Sequence, residues 1–242
     1  MSDPNAVALA SRALRSLAGG TALSDITLQG SATYIAGSDQ ESGTATLVAR
    51  GSQQSRVVLN LGSGQRQEVR NGVAGYWSGP DGTQYPMSAH NCWTDAPWFF
   101  PGLSLQALAN DPQVTISYVG LETRDGVALH HLHLFRTVPG QTPQMTAEIQ
   151  RLSLVDLYLD PASYLPVVVD FKTHPDNDLN VDVPVEVQFG NYQLVNGIRV
   201  PFRIRKFLQG SLLLDVVLSG AAINTGLQEG QFAIQTSAGG ES

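Results

Sequence analysis

Cysteine is nearly absent: Cys92 is the only one in 242 residues. That excludes an internal disulfide and a multi-cysteine zinc site, while oxidising and reducing compartments both stay chemically open. Charge is also sparse, at 14% of residues, and the surplus is acidic, a formal −7. Neutralising phosphates takes a basic stripe. Basic residues gather here only around Arg199, Arg203, Arg205 and Lys206, so no nucleic-acid partner is expected. No run of about 18 apolar residues occurs, so no transmembrane segment is expected. The N-terminus lacks the basic-then-apolar order of a signal peptide. There is no G-x-x-x-x-G-K-S/T loop and no G-x-G-x-x-G between a strand and a helix, so nucleotides have no anchor and no cofactor is expected. His90 stands two residues before Cys92, but no G-x-S-x-G elbow or cysteine-centred signature supports a nucleophile. Cys92 reads as a buried structural thiol.

What the chain does have is 24 glycines, 13 prolines and 42% hydrophobic residues. Many strands joined by tight turns fit this composition better than a helical bundle. The length allows one large β domain or two small ones. No boundary is visible, so the reading is one domain over 1–236 with a small, polar, disordered tail at 237–242. Ser2 or Asp3 can cap a helix that admits Pro4 in its first turn, with Val7, Ala10, Leu14 and Leu17 at helical spacing until Gly19 and Gly20 stop it. From Asp25 the period becomes two: Ile26, Leu28, Gly30, Ala32 and Tyr34 share a face, as do Val57, Leu59 and Leu61. Turn signals recur in "SGPDGTQY", "TRDGVA", "LVNGIR" and "LQGSL", implying antiparallel hairpins. About ten or eleven strands result, enough to make an open sheet curl and enclose an inside. The N-terminal helix is the expected filler.

The hairpin "VEVQFGNYQLVNGIRVPFRIRKF" (185–207) puts Val185, Val187 and Phe189 on one face of its first arm. Ile198, Val200, Phe202 and Ile204 share a face of the second. Glu186, Gln188, Arg199, Arg203 and Arg205 fall opposite, toward water. In "SLLLDVVLSG" (211–220) Leu212, Leu214, Val216 and Leu218 lie on one side, but Leu213 and Val217 lie on the other. That pattern predicts a strand covered on both faces. Residues 88–112, "SAHNCWTDAPWFFPGLSLQALANDP", break the alternation and read as a loop and short helix inserted between hairpins.

Three groups invite chemistry. In "ALHHLHLF" (128–135) a strand points His131 and His133 the same way, about 6.5–7 Å apart, a workable spacing for two metal ligands. A third ligand is not evident from sequence, with His90, Cys92 and His174 as candidates, and solvated or core histidines are the plainer reading. In "HPDNDLNVD" (174–182) Asp176, Asp178, Asn180 and Asp182 alternate like a calcium loop. The sharp-turn glycine is missing and Val187 stands where a bidentate glutamate belongs, so a polar inter-strand loop competes. Trp98, Phe99 and Phe100 could line a ligand mouth, stack on sugars or plug the core.

The helix-then-strands order and several C-terminal motifs resemble the outer-membrane lipoprotein-sorting family, the LolA/LolB-like fold. The motifs are an aspartate-ended strand running into Leu165 and Pro166, Phe189 and Tyr192 in an F-x-x-Y strand, Asn196 and Gly197 followed by Pro201 and Phe202, and a closing Gly226, Leu227, Phe232 hook. They cover about the last 85 residues. The resemblance implies an unclosed antiparallel barrel wrapped over helices whose apolar concavity holds lipid or acyl chains without catalysis. It implies a periplasmic or cell-envelope location, an export signal already removed, and a lipoprotein as a further partner. Residues 88–110 become the lid, and Trp93, Trp98, Phe99, Phe100, Leu103, Phe202 and Ile204 the ligand-lining set. The residues alone leave two other readings open: a packed β scaffold for interactions, and a metal-binding protein or hydrolase using His131 and His133.

Overall fold

In the computed structural model, which describes residues 2–94, 96–108 and 111–234, the first helix forms between the expected signals. α1 (Pro4–Ala18) is capped by Asp3, whose carboxylate accepts the Asn5 N–H at 2.9 Å, and it ends at Gly19 in the left-handed region, φ 60°. Its buried face is Ala6, Leu9, Ala10, Ala13, Leu17 and Ala18. This face is rotated from the expected stripe, since Val7 is 44% exposed. Four alanines on the buried side let the helix lie close to the strands, and the bulkier Val7 turns outward. The tail 237–242 lies outside the described residues.

Among the described residues thirteen strands follow: β1 (Asp25–Ala36), β2 (Asp39–Arg50), β3 (Gln54–Leu61), β4 (Gly64–Asn71), β5 (Ala74–Ser78), β6 (Gln84–Met87), β7 (Val114–Arg124), β8 (Val127–Arg136), β9 (Val155–Leu159), β10 (Pro166–Thr173), β11 (Val183–Val195), β12 (Ile198–Leu208) and β13 (Ser211–Ile223). They make one sheet in the order β6-β5-β4-β3-β2-β1-β13-β12-β11-β10-β9-β8-β7. It is antiparallel, curved and not closed into a barrel. The count exceeds the expected ten or eleven because β5, β6 and β9 have only five, four and five residues, too few to show a period. Two helices interrupt the strands, α2 (Pro101–Leu108) inside the expected insertion and α3 (Pro143–Leu152) between β8 and β9. α3 was not anticipated. Thr142 caps it by accepting the Met145 N–H, but only Ile149 and Leu152 are buried, so its apolar stripe is thin.

The long hairpin behaves as its pattern requires. Asn196 and Gly197 both take positive φ, 51° and 84°, the backbone of a two-residue hairpin turn matched to strand twist. Val185, Val187, Phe189, Ile198, Val200, Phe202 and Ile204 are all buried, while Arg199 and Arg203 are exposed. β13 corrects one expectation. Leu214, Val216 and Leu218 are buried, but Val217 is 48% exposed, lying between Ser31 and Arg203 in the ladder. The outer face there meets water, and Val217 serves strand propensity rather than a second layer.

Two glycines let the sheet bend. A Cβ at Gly43 would lie 1.9 Å from the Asn60 carbonyl oxygen, and one at Gly30, beside a bulge, 2.2 Å from that of Val217. No side chain fits such close backbone approaches. At the far end Gly226 and Thr225 donate their N–H groups to Asp25, and Phe232 beyond them is fully buried against β3 and β4.

The strand order has one more effect. β6 and β7 are the two free rims of the sheet, yet they are consecutive in the chain. The intervening residues must therefore cross from rim to rim.

Candidate functional site

That crossing runs through the concave side. Its first part is fastened to the sheet. Asn91 donates from Nδ2 to the His174 carbonyl at 2.8 Å and accepts the His174 N–H at 2.9 Å, while Ser88 donates to Asp176. Arg70 reaches up from β4, donating from Nη1 to Thr94 Oγ1 at 2.9 Å and to the Asn91 carbonyl at 3.2 Å. Beyond this root the chain turns inward. Trp98, Phe99, Phe100 and Leu103 are at most 1% exposed, and α2 packs on α1.

With Phe202 and Ile204, these four residues form part of one continuous core. The structure thus brings together six of the seven residues expected to line a ligand. Trp93 is separate: it is half-buried and lines two spaces at the rim, one of about 80 Å³ beside Leu108 and Leu134, the other of about 390 Å³ beside Cys92 and Ile149. Cys92 is buried as expected, and burial pushes its thiol pKa up. The space left on the concave side is small. Beside the aromatic cluster a cavity of about 190 Å³ lies between Leu59, Trp98, Lys206 and Leu214.

Charge sits inside this apolar hollow. In β4, Glu68 faces Val57 across the ladder and Arg70 faces Ser55, so both share the concave side with the β3 core residues. A bulge between Lys206 and Phe207 marks the point where Lys206 also turns in. Its Nζ lies 4.2 Å from the Trp98 ring centroid and 3.7 Å from Glu68 Oε2. Glu68 Oε1 accepts from Arg70 Nε at 3.1 Å and from Trp98 Nε1 at 3.3 Å. Burial works to raise the Glu68 pKa. The charges of Lys206 and Arg70 and the indole hydrogen bond outweigh it and hold the carboxyl at about 2. Burial lowers the Lys206 pKa, and Glu68 partly restores it. The sequence marks Lys206 only as part of the basic cluster with Arg199, Arg203 and Arg205, and does not mark Glu68 at all. The readable signal was a charged residue at alternate positions of β4, on the face of a strand paired to Val57 and Leu59.

The other expected groups lie on the outer face. His131 and His133 do point the same way, and Asp156, directly opposite His133 in β9, converges on both. None of His90, Cys92 or His174 belongs to this group. The four polar residues of 174–182 do not converge. Asp176 is bound to Ser88, Asp178 accepts the Asn180 N–H, and Asp182 pairs with Arg151, Lys172 and His174. A groove of about 970 Å³ also opens on this outer face, lined among others by Arg124, Asp170, Glu186 and Arg205. Arg124 bridges Asp170 and Glu186 at 2.6 Å each. Burial, with the charges of Glu186 and Asp156, raises the Asp170 pKa to about 6 against the pull of Arg124.

An unclosed antiparallel sheet curved over an amphipathic helix, its mouth crossed by an inserted segment, defines the class of architecture. It is the LolA-like fold. No family model and no curated protein matches the chain. Solved structures do. A LolA superfamily protein from Nitrosomonas europaea matches with a TM-score of 0.57 at 12% identity, over 95% of this chain and 97% of that one. A domain from Vibrio parahaemolyticus provisionally assigned to outer-membrane lipoprotein sorting gives 0.55 at 12% identity, over 94% and 96%. A DUF1329 family protein from Desulfovibrio piger gives 0.55 at 13% identity, over 96% and 98%. At these identities the likeness is one of fold. No helix among the described residues is long and apolar enough to cross a membrane.

Proposed function

We propose that the chain is a non-catalytic carrier of an acyl chain or similar amphiphile in the cell envelope, and that residues 96–108 occupy the ligand's place in the closed form. The observation carrying this reading is that a non-sheet segment, rather than the sheet itself, supplies the fully buried Trp98, Phe99 and Phe100 at the centre of the concave face. Ligand pockets run to about 300–1,000 Å³, so the space now beside Trp98 is too small and the segment must leave for a chain to enter. Lifting the segment exposes Trp98, Phe99, Phe100, Leu103 and Leu105, and an acyl chain entering the same hollow covers apolar surface in their place. The polar ties from Arg70, Glu68 and Lys206 then bias the closed form. A lipoprotein as the source of the chain and a periplasmic setting belong to the same reading, supported by the likeness to a sorting-type fold.

The filled concave face favours one rival, a β scaffold whose aromatics never move. Organic extraction of the purified protein with mass spectrometry, followed by titration with a fluorescent fatty acid, separates the two. Recovered lipid or saturable uptake, with a change in Trp98 emission absent from Trp98→Phe, supports the carrier. An empty protein that takes up no probe leaves the scaffold reading and ends the carrier.

A further inference from the structure

The histidine cluster on the outer face, remote from the concave side, stands independently of the carrier reading. His131 Nε2 lies 2.8 Å and His133 Nε2 2.9 Å from the same Asp156 oxygen, Oδ1. His131 is buried, and its other ring nitrogen, Nδ1, lies 2.8 Å from Glu122 Oε2 but makes no hydrogen bond, the carboxylate being off the line of the ring N–H. With protons alone this arrangement is poorly satisfied. Two Nε2–H groups would take up both lone pairs of one carboxylate oxygen, and the buried Nδ1 faces a carboxylate it does not engage.

We infer that His131, His133 and Asp156 form a binding site for a first-row divalent cation of the zinc class, with Glu122 orienting His131. A cation between the two Nε2 atoms and Oδ1 takes the place of both protons. It leaves His131 with its remaining proton on Nδ1, and a rotation of the Glu122 carboxylate, which is 47% exposed, brings an oxygen onto the N–H line to accept it. This carboxylate–histidine–metal relay fixes the tautomer and raises ligand basicity. The three ligand atoms lie within 4.8 Å of one another. An ion about 2 Å from each needs them about 3.3 Å apart, so the two nitrogen–oxygen pairs have to open by about half an ångström and the two nitrogens to draw in toward that spacing. Two imidazoles and one carboxylate suit zinc, nickel or cobalt rather than magnesium or calcium, which take oxygen cages.

The backbone supports the geometry. Asp156 is directly paired with His133, and Tyr158, paired with His131, stacks on its ring with centroids 4.3 Å apart. On the other side the residue opposite His131 is Gly120, at a bulge, with no side chain over the ring. His133 remains 36% exposed, and Asp156 and Glu122 line one end of the outer groove. Three protein ligands with a solvent-facing side leave a coordination position for water or a ligand.

The test is titration of the metal-free full chain with Zn²⁺ by calorimetry and by competition with a chromophoric chelator, with Mg²⁺ and Ca²⁺ as controls. One Zn²⁺ per chain at micromolar affinity or tighter is expected. Asp156→Asn and His133→Gln, both at partly exposed positions, should weaken it about 100-fold or more. Glu122→Gln should weaken it about 10–100-fold without moving the melting temperature of the metal-free protein. His90→Gln should leave it unchanged. Histidine ¹H–¹⁵N spectra of the parent should show Nε2 of both ligands, not Nδ1 of His131, meeting the metal. Absence of saturable Zn²⁺ binding, or equal affinity in Asp156→Asn and His133→Gln, overturns the assignment.

Discussion

Glu68→Gln tests the charged cluster under Trp98 most directly. The substitution keeps the shape and the hydrogen-bonding oxygen but removes the charge facing Lys206 and Arg70. The Glu68 carboxyl ordinarily titrates at 4.5 and is held at about 2 in the folded protein. At 1.36 kcal/mol per pH unit that difference amounts to about 3 kcal/mol, within the range found when one partner of a buried ion pair is lost. The side chain is only 22% exposed, so solvent screens little of it. Because the folded pKa is depressed, the stabilisation is fully present above 4.5 and is lost as pH falls through about 2. Urea unfolding at pH 7 should show the variant about 3 kcal/mol less stable than the parent. The difference between the two should shrink as pH falls from 5 to 2. Trp98 should become more accessible to acrylamide quenching in the variant, its indole N–H having lost a charged acceptor. A variant within about 0.5 kcal/mol of the parent at pH 7, or a difference that does not change with pH, would refute the idea that an ionised Glu68 holds the crossing segment.

Other perturbations probe the frame. Gly43→Ala drives a methyl group into the Asn60 carbonyl and should cost about 1–3 kcal/mol or more in urea unfolding; a neutral result would show that β2 and β3 can separate there. Leu17→Ala removes a fully buried side chain of α1 and should cost about 2–5 kcal/mol, read as a lowered denaturation midpoint with unchanged slope. Asp170 has a folded pKa raised from 3.8 to about 6, so its favourable contribution is complete below 3.8 and disappears as pH rises through about 6. The parent should therefore lose stability over that window relative to Asp170→Asn, and parallel pH profiles would contradict the buried setting of this carboxyl.

Much of the frame could be read from alternation. Ile26, Leu28 and Ala32, and the two arms around Asn196 and Gly197, kept the face their spacing assigned, because one buried side per strand leaves no freedom of register. Helix α1 was legible by its Asp3 cap and Gly19 stop, but its orientation was not, since alanines at 6, 10 and 13 carry weak hydropathy and strong steric consequence. α3 hid because two buried residues make no periodic stripe. The six lining residues drew attention through their bulk. The charges beside them did not, because Glu68 and Arg70 look like any solvated strand face until β3 is known to curve over the same hollow. Asp156 likewise becomes a neighbour of His131 and His133 only once β8 and β9 are paired across the intervening helix.

The joining of β1 to β13 has a bearing on how the protein reaches this shape. All other ladders link strands that follow one another in the chain, so the two meanders can zip up locally, each at small loss of chain freedom. The β1–β13 seam instead unites Ile26 with Ile223, and its closure entropy is large. The slow event in folding is then the meeting of two half-formed wings along that seam. Until they meet, both wings carry a raw edge and a greasy face, the surfaces through which partly folded chains associate wrongly.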